Sequence, residues 1–398
     1  MNHNISSFAG FKSIIIITAL LSAALILSAC NNTSNTALPP EPMITETLSV
    51  PDEIPEPLQP VEIDGVLFSA ETPRLVLAGL DVDKKQIEEF LPRFPLLSVL
   101  DLRGTSISPE DALSLYNLNP DLSVIWDVFL LGNLYPSDTT ELDLSGIAMN
   151  DSSELEEALC FFPKLEKVIM SDCGLSDEYM DSLNSRYDDI SFVWTVHFSV
   201  YSLRTDATMF CASDIPKLGN VAPELTSPEL DPIKYCTELE ALDLGHMNFK
   251  DIKFLKNMTR MKYLILVQGK FSDISVIADM PELEYLELFN NNRIIDLTPL
   301  LNCKNLKHLN IGYCYYADWA PLKEMPWLER LWMPHVEISE VELEELQDAL
   351  PDTLIYAPHD DPMGSTGGGW REDESYYTMR DIMEMPYLPG GTGMGLGW

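Results

Sequence analysis

Leu283-Glu284-Tyr285-Leu286-Glu287-Leu288 sets an L-x-x-L-x-L spacing that recurs along the C-terminal half of the chain. Leu239/Leu242/Leu244, Met261/Leu264/Leu266, Leu306/Leu309/Ile311 and Leu328/Leu331/Met333 repeat it. The five starts, at 239, 261, 283, 306 and 328, lie 22, 22, 23 and 22 residues apart. Alternate residues of a strand face opposite ways, so the fourth and sixth positions point to one side and the third and fifth to the other. A unit this short cannot bury its leucines alone; stacked on its neighbours it builds a continuous core.

Further toward the N-terminus the period lengthens. Phe94-Pro95-Leu96-Leu97-Ser98-Val99-Leu100-Asp101-Leu102 aligns with Phe162-Pro163-Lys164-Leu165-Glu166-Lys167-Val168-Ile169-Met170 at an offset of 68, which persists without a gap to Val128/Val196. A partial third copy runs from Pro326-Trp327-Leu328 to Pro351-Asp352, weaker units begin at Thr72 and Thr139, and partial ones lie near Leu122, Ile190 and Thr353.

Together these units resemble the leucine-rich-repeat family over nearly all of residues 70–357. The resemblance implies an α/β solenoid with a curved parallel β-sheet on its concave face. In the N-terminal half the return legs read as helices on the convex face. Ser108-Pro109-Glu110-Asp111 offers a cap, a proline at the first helical position and acids in the first turn, Ser176-Asp177-Glu178 repeats this, and Ser339 with Glu342 forms a capping box. In the C-terminal half, Asp296-Leu297-Thr298-Pro299-Leu300 and Asp318-Trp319-Ala320-Pro321-Leu322 resemble the 22-residue repeats of internalin-type bacterial surface proteins. Proline there disfavours a long helix, so short 3₁₀ or extended turns are expected on the convex side. The family's ninth-position Asn, whose amide bonds the turn backbone, is kept only at Asn291; Met247, Gly269, Cys314 and Val336 stand in the other units.

Lys12 precedes an apolar run from Ile14 to Leu27, too short to cross a bilayer as a mature helix and suited to a secretory signal. Its end, Leu27-Ser28-Ala29-Cys30, resembles the lipobox of bacterial lipoproteins. That resemblance implies cleavage before Cys30 and lipid attachment to it, each buried CH₂ contributing about 0.8 kcal/mol to anchoring. Residues 31–60 hold seven prolines and no Lys or Arg, which predicts an extended spacer. The expected organisation is a signal peptide (1–29), the lipidated Cys30 with its spacer (30–60), repeats with helical return legs (61–200), an inserted loop or junction (201–236), repeats of about 22 residues (237–357), and a C-terminal cap with a glycine-rich tail (358–398).

The chain has 398 residues, 25 Lys+Arg against 63 Asp+Glu, and a net charge of −38. Loss of residues 1–29 removes Lys12 and no acid, giving 24 − 63 = −39. Such an excess argues against a nucleic-acid partner. Seven cysteines are too few and scattered for a disulfide-stapled miniature fold. In an exported chain a Cys211–Cys236 disulfide would clip the junction; Cys173 and Cys314, at ninth positions, read as small buried hydrophobes. His246, His308 and His335 fall in or after strands with no Cys or carboxylate set at metal-ligand spacing, so no metal or other cofactor is expected. Residues 364–369 lack the Gly-Lys-Ser/Thr ending of a phosphate loop, and no Gly-x-Ser-x-Gly, His-Glu-x-x-His or adjacent Cys/His pair appears, so an enzyme is not expected.

The third and fifth positions of the last five units instead gather aromatic and polar side chains. Tyr263, Ile265, Tyr285, Glu287, His308, Asn310, Arg330 and Trp332, with Phe289, Tyr313 and His335 just after their strands, are the expected ligand-binding residues of the concave face. Exposed Tyr, Phe, Trp and Arg on one face favour a protein or peptide partner, and rings that stack on sugars leave cell-wall glycan or peptidoglycan as the alternative. The corresponding columns of the first half, with Arg74, Asp101, Arg103, Glu141, Asp143, Glu166 and Lys167, are more polar. The expected setting is the extracytoplasmic side of a bacterial cell membrane, most simply a Gram-positive surface.

Overall fold

Leu242, Leu264, Leu286, Leu309 and Leu331 are fully buried, and they sit in register at the centres of successive parallel strands. Every repeat start named above therefore becomes one rung of a ladder. A computed structural model describes residues 58–212, 225–316, 318–356 and 374–382. The signal peptide, Cys30, the spacer up to residue 57 and most of the C-terminal tail lie outside the described residues.

The described chain opens with a hairpin, β1 (Val61–Ile63) and β2 (Val66–Phe68), followed by a three-stranded parallel ladder of β3 (Arg74–Val76), β4 (Val99–Asp101) and β5 (Ser123–Ile125). The same order returns: hairpin β6 (Asp127–Leu130) and β7 (Asn133–Pro136), then ladder β8 (Glu141–Asp143), β9 (Lys167–Ile169) and β10 (Ser191–Val193). A third hairpin, β11 (Thr195–Phe198) and β12 (Tyr201–Arg204), leads into a seven-stranded parallel ladder. Its strands are β13 (Met209–Cys211), β14 (Ala241–Asp243), β15 (Tyr263–Ile265), β16 (Tyr285–Glu287), β17 (His308–Asn310), β18 (Arg330–Trp332) and β19 (Leu354–Tyr356). The ladder of short parallel strands joined by return legs over one apolar core is a leucine-rich-repeat solenoid.

The expected junction at 201–236 is corrected in part. Residues 201–204 complete a hairpin and 209–211 pair in parallel with Ala241–Asp243. The 68-residue period therefore continues past 200, with Asp127 answered by Thr195 and Glu141 by Met209. The hairpin bases are built alike. Ser137 Oγ accepts from the Trp126 amide at 3.0 Å, and Thr205 Oγ1 accepts from the Trp194 amide at 3.2 Å.

Return legs differ between the halves as their caps and prolines dictate. Helices α1 (Lys84–Phe90), α2 (Pro109–Leu118), α3 (Ser153–Ala158) and α4 (Asp177–Asn184) serve the first two ladders. Ser108 and Ser176 each accept from the amide three residues on, at 3.2 Å. Beyond α5 (Ser227–Leu230), residues 253–255, 275–279 and 298–302 make only 3₁₀ turns. Helices return with α6 (Ala320–Lys323) and α7 (Glu340–Ala349), the latter opened by the Ser339/Glu342 capping box. Helix α8 (Glu374–Ile382) completes the described residues.

Ninth-position residues show how the turns are tied. Asn291 donates to the carbonyls of Leu266 and Leu288 at 2.8 and 2.9 Å. The Cys314 and Cys173 thiols reach the carbonyls of Leu288 and Leu144 at 3.1 and 3.2 Å, so both are weak donors in the Asn role and not only apolar filler. Among the described residues Cys211 and Cys236 are not joined by a disulfide, so none clips the junction. Burial pushes the thiols of Cys236 and Cys303 up to about 12.

Candidate functional site: the outward face of the seven-stranded ladder

With the leucines turned inward, the flanking residues of each strand point the other way. Strand register aligns Ala241, Tyr263, Tyr285, His308 and Arg330 in one column and Asp243, Ile265, Glu287, Asn310 and Trp332 in the next. The ladder extends both columns beyond the five full units, adding Met209 and Cys211 at one end and, in the partial unit near Thr353, Leu354 and Tyr356 at the other.

Rings join across the rungs. Tyr285, His308 and Trp332 form a triangle with centroids 6.1–6.4 Å apart, and Trp332 stacks on Tyr356 at 5.8 Å and 13°. A second row runs Phe289–Tyr313–His335 at 5.1 and 4.4 Å. Tyr313 and His335, like His246, Gln268 and Asn290, occupy left-handed turn positions (φ 55–65°), which throws their side chains to the edge of this face. Between the rings lie buried carboxylates. Tyr285 Oη donates to Glu287 Oε1 at 2.5 Å, and Asp243 accepts from the Gly245 amide at 2.8 Å and from the Cys211 thiol at 3.6 Å. Buried acids persist only where such bonds replace water.

The expected residues thus converge on one face, but that face is not open. Ile265, Tyr285, Glu287, Phe289, Asn310 and Trp332 are buried, Tyr263, His308, Tyr313 and Arg330 are half-buried, and only His335 is exposed. The physical reason lies partly in the rings covering one another and partly in α8. Met379 of that helix is 0% exposed and belongs to the same apolar cluster as Ile265, Val267, Tyr285, Phe289 and Trp332. Full burial of one methionine contributes about 1.5–3 kcal/mol. No local pattern announces this contact, because a nine-residue segment far along the chain meets the ladder only in the folded state.

The first ladders solve the same positions with ions. Arg103 grips Asp101 with two bonds at 2.7 and 2.9 Å and Arg74 adds a third at 2.5 Å. The Arg103 guanidinium, with Arg74 behind it, holds the Asp101 carboxyl at about 2 although burial opposes the shift. In the second ladder Arg204 and Lys167 converge on Asp206 at 2.7 and 3.2 Å; burial pushes its carboxyl up, but the two cations outweigh that and hold it below the usual range.

A Ser/His/Asp trio also assembles, unmarked by any sequence motif. His197 lies 2.8 Å from Ser202 Oγ through Nδ1 and 2.9 Å from Asp172 Oδ1 through Nε2. The His197 and Asp172 side chains are 57% and 68% exposed, so water solvates both, and the trio ties the β11–β12 hairpin to the preceding turn. Among the described residues no group of three or more His, Cys, Asp or Glu is placed to hold a metal ion, and no helix is long and apolar enough to cross a membrane.

No family model and no curated protein matches the chain. Among solved structures it is similar to an internalin (inlF) of Listeria monocytogenes, with 18% identity and a TM-score of 0.30, covering 76% of this chain and 66% of that one. An internalin C2 of the same organism gives 24% identity and a TM-score of 0.26 over 31% and 63%. A leucine-rich-repeat protein of Leptospira interrogans gives 16% and 0.28 over 67% and 73%. The chain thus spans less than two thirds of the length of either internalin. The solenoid assignment rests on the strand ladders themselves.

Proposed function

We propose that the chain is a membrane-anchored, extracytoplasmic binding protein that takes a protein or peptide partner on the outward face of its seven-stranded ladder. The observation that carries this reading is the Tyr285–His308–Trp332 triangle set among buried carboxylates and built from consecutive repeats. Large rings that converge around a few polar groups are the composition of interface hot spots. The solvated trio at His197 offers no comparable enclosure, which favours a binding protein over an enzyme. A ring that stacks on sugar needs an open face, whereas the Trp332 ring is already stacked on Tyr356 of the next rung, which favours a protein partner over glycan.

The test is affinity capture from the cell envelope on the chain from Leu58 onward, comparing wild type with Tyr285→Ala/Trp332→Ala, with far-UV circular dichroism confirming that both fold. A partner retained by wild type and lost by the variant supports the reading. Equal retention of every partner overturns it. Sedimentation with purified cell wall, if abolished by the same substitutions, moves the assignment to glycan.

The anchor is proposed from Leu27-Ser28-Ala29-Cys30 alone. Metabolic labelling with a palmitate analogue should mark the wild-type chain and leave Cys30→Ser unlabelled. Equal labelling would remove the anchor from the proposal.

A further inference from the structure

The helix on the ladder face makes an unusual contact. Of the side chains described on α8, Met379 alone is buried; Arg380 beside it is half-buried, and Glu374, Tyr377, Thr378, Asp381 and Ile382 are exposed. Among its described side chains, Met379 is the one this helix sets into the apolar cluster of the ladder face. A helix of nine residues is marginal in water on its own, so its helical state depends on its contact with the ladder.

We propose that α8 is an intramolecular ligand of the ladder face, and that the partner this face recognises is a protein segment presenting a short helix with a methionine-type anchor and an adjoining cation, which must displace α8 to bind. The inference rests on the proposed function and specifies its partner. An unbranched thioether fills an irregular gap between rings that a β-branched side chain would not enter, and sulfur packs favourably against ring edges. Arg380, half-buried and next in sequence to the anchor, brings a positive charge to a face that holds the buried acids Asp243 and Glu287. Laying an amphipathic helix on an apolar face is an established mode of peptide recognition.

The tether permits exchange. Residues 357–373 supply 17 residues of chain between the last strand and α8. Fully extended they span roughly 56–61 Å, whereas a seven-stranded ladder measures about 29 Å across its rungs. Covalent length therefore does not pin the helix to one place; tethering keeps its local concentration high, so a free competitor must outbind it.

The experiment uses the full chain as wild type, Met379→Glu and Met379→Ala, with a labelled nonapeptide of the sequence Glu374–Ile382 as probe. Met379→Glu should bind the peptide at least tenfold more tightly than wild type, Met379→Ala should move the same way by less, and a peptide carrying its own Met→Glu change should bind none of them. Thiol labelling resolved by mass spectrometry should show Cys211, which packs against this cluster, reacting faster in both variants. Unchanged Cys211 labelling, or equal peptide binding by all three chains, overturns the inference whatever the capture experiment finds. A chain that opens and binds the peptide but captures no envelope protein leaves α8 assigned and overturns the proposed function instead. Dimers in sedimentation equilibrium that Met379→Glu abolishes would place α8 on a second copy and overturn its assignment within one chain.

Discussion

The ladder β3–β5 and the ladder β13–β19 bury the same central column of leucines, yet their outward positions are filled by opposite means. In the first, Asp101 is enclosed by Arg74 and Arg103, so the charges are matched on the surface that displays them. In the second, rings and buried acids leave a face whose satisfaction draws in Met379 from outside the repeats. The repeat thus sets where the side chains stand, and the residues at its third and fifth positions set whether the face is complete or wants an occupant.

The common column gives the largest expected effect. Leu100 and Leu286 are both 0% exposed at strand centres. Each change to Ala should cost about 2–5 kcal/mol, read from the urea midpoint, because transfer and cavity terms act alike in both ladders. A loss below about 1 kcal/mol at one site alone would show that ladder to be loosely packed and break the premise of a shared core.

How much of this stands in the sequence differs by element. The leucine spacing located every strand of the long ladder from β14 to β18, and Ser108, Ser176 and Ser339 marked the helix starts where their hydroxyls do cap. Those signals are local and repeated. The three hairpins are less legible because they sit inside the 68-residue period and are carried along by it. Asp64-Gly65, with φ of 45° and 75° between alternating apolar residues, is the strongest local signal of one. Ser199, at φ 53°, turns the third without a glycine to announce it. The site was legible as a set of columns, but its burial was not, since the Met379 contact joins residues that no period relates.

Ninth positions sharpen the comparison at the next scale. Asn291 satisfies two carbonyls, which argues for Asn as a stabilising replacement at the other ninth positions. At Gly269 the opposite is expected. A Cβ there would run into the Phe271 ring, and Phe271 is itself fully buried and stacked on Phe249 at 5.4 Å. Gly269→Asn should therefore destabilise by about 1–3 kcal/mol in urea or thermal unfolding, the usual cost of overpacking. A gain would mean that the aromatic pair yields and that the long ladder is less rigid than its ring packing implies.

The smallest effect tests the ionic half through pH. Asp101 has its carboxyl lowered from 3.8 to about 2, chiefly by Arg103. A folded-state value below the unfolded one stabilises at pH above about 4 and loses that stabilisation as pH falls toward 2. The gap corresponds to roughly 2 kcal/mol, and solvent reaching both guanidinium groups lowers it to about 1–2 kcal/mol. Asp101→Asn should lose that amount at neutral pH and show a flatter acid limb, the two stability curves converging near pH 2. Chemical denaturation at a series of pH values measures this directly. An acid limb left unchanged in Asp101→Asn would mean that the ion cluster does not hold this face closed, and the contrast between a self-satisfied ladder and one that recruits a helix would then rest on the aromatic side alone.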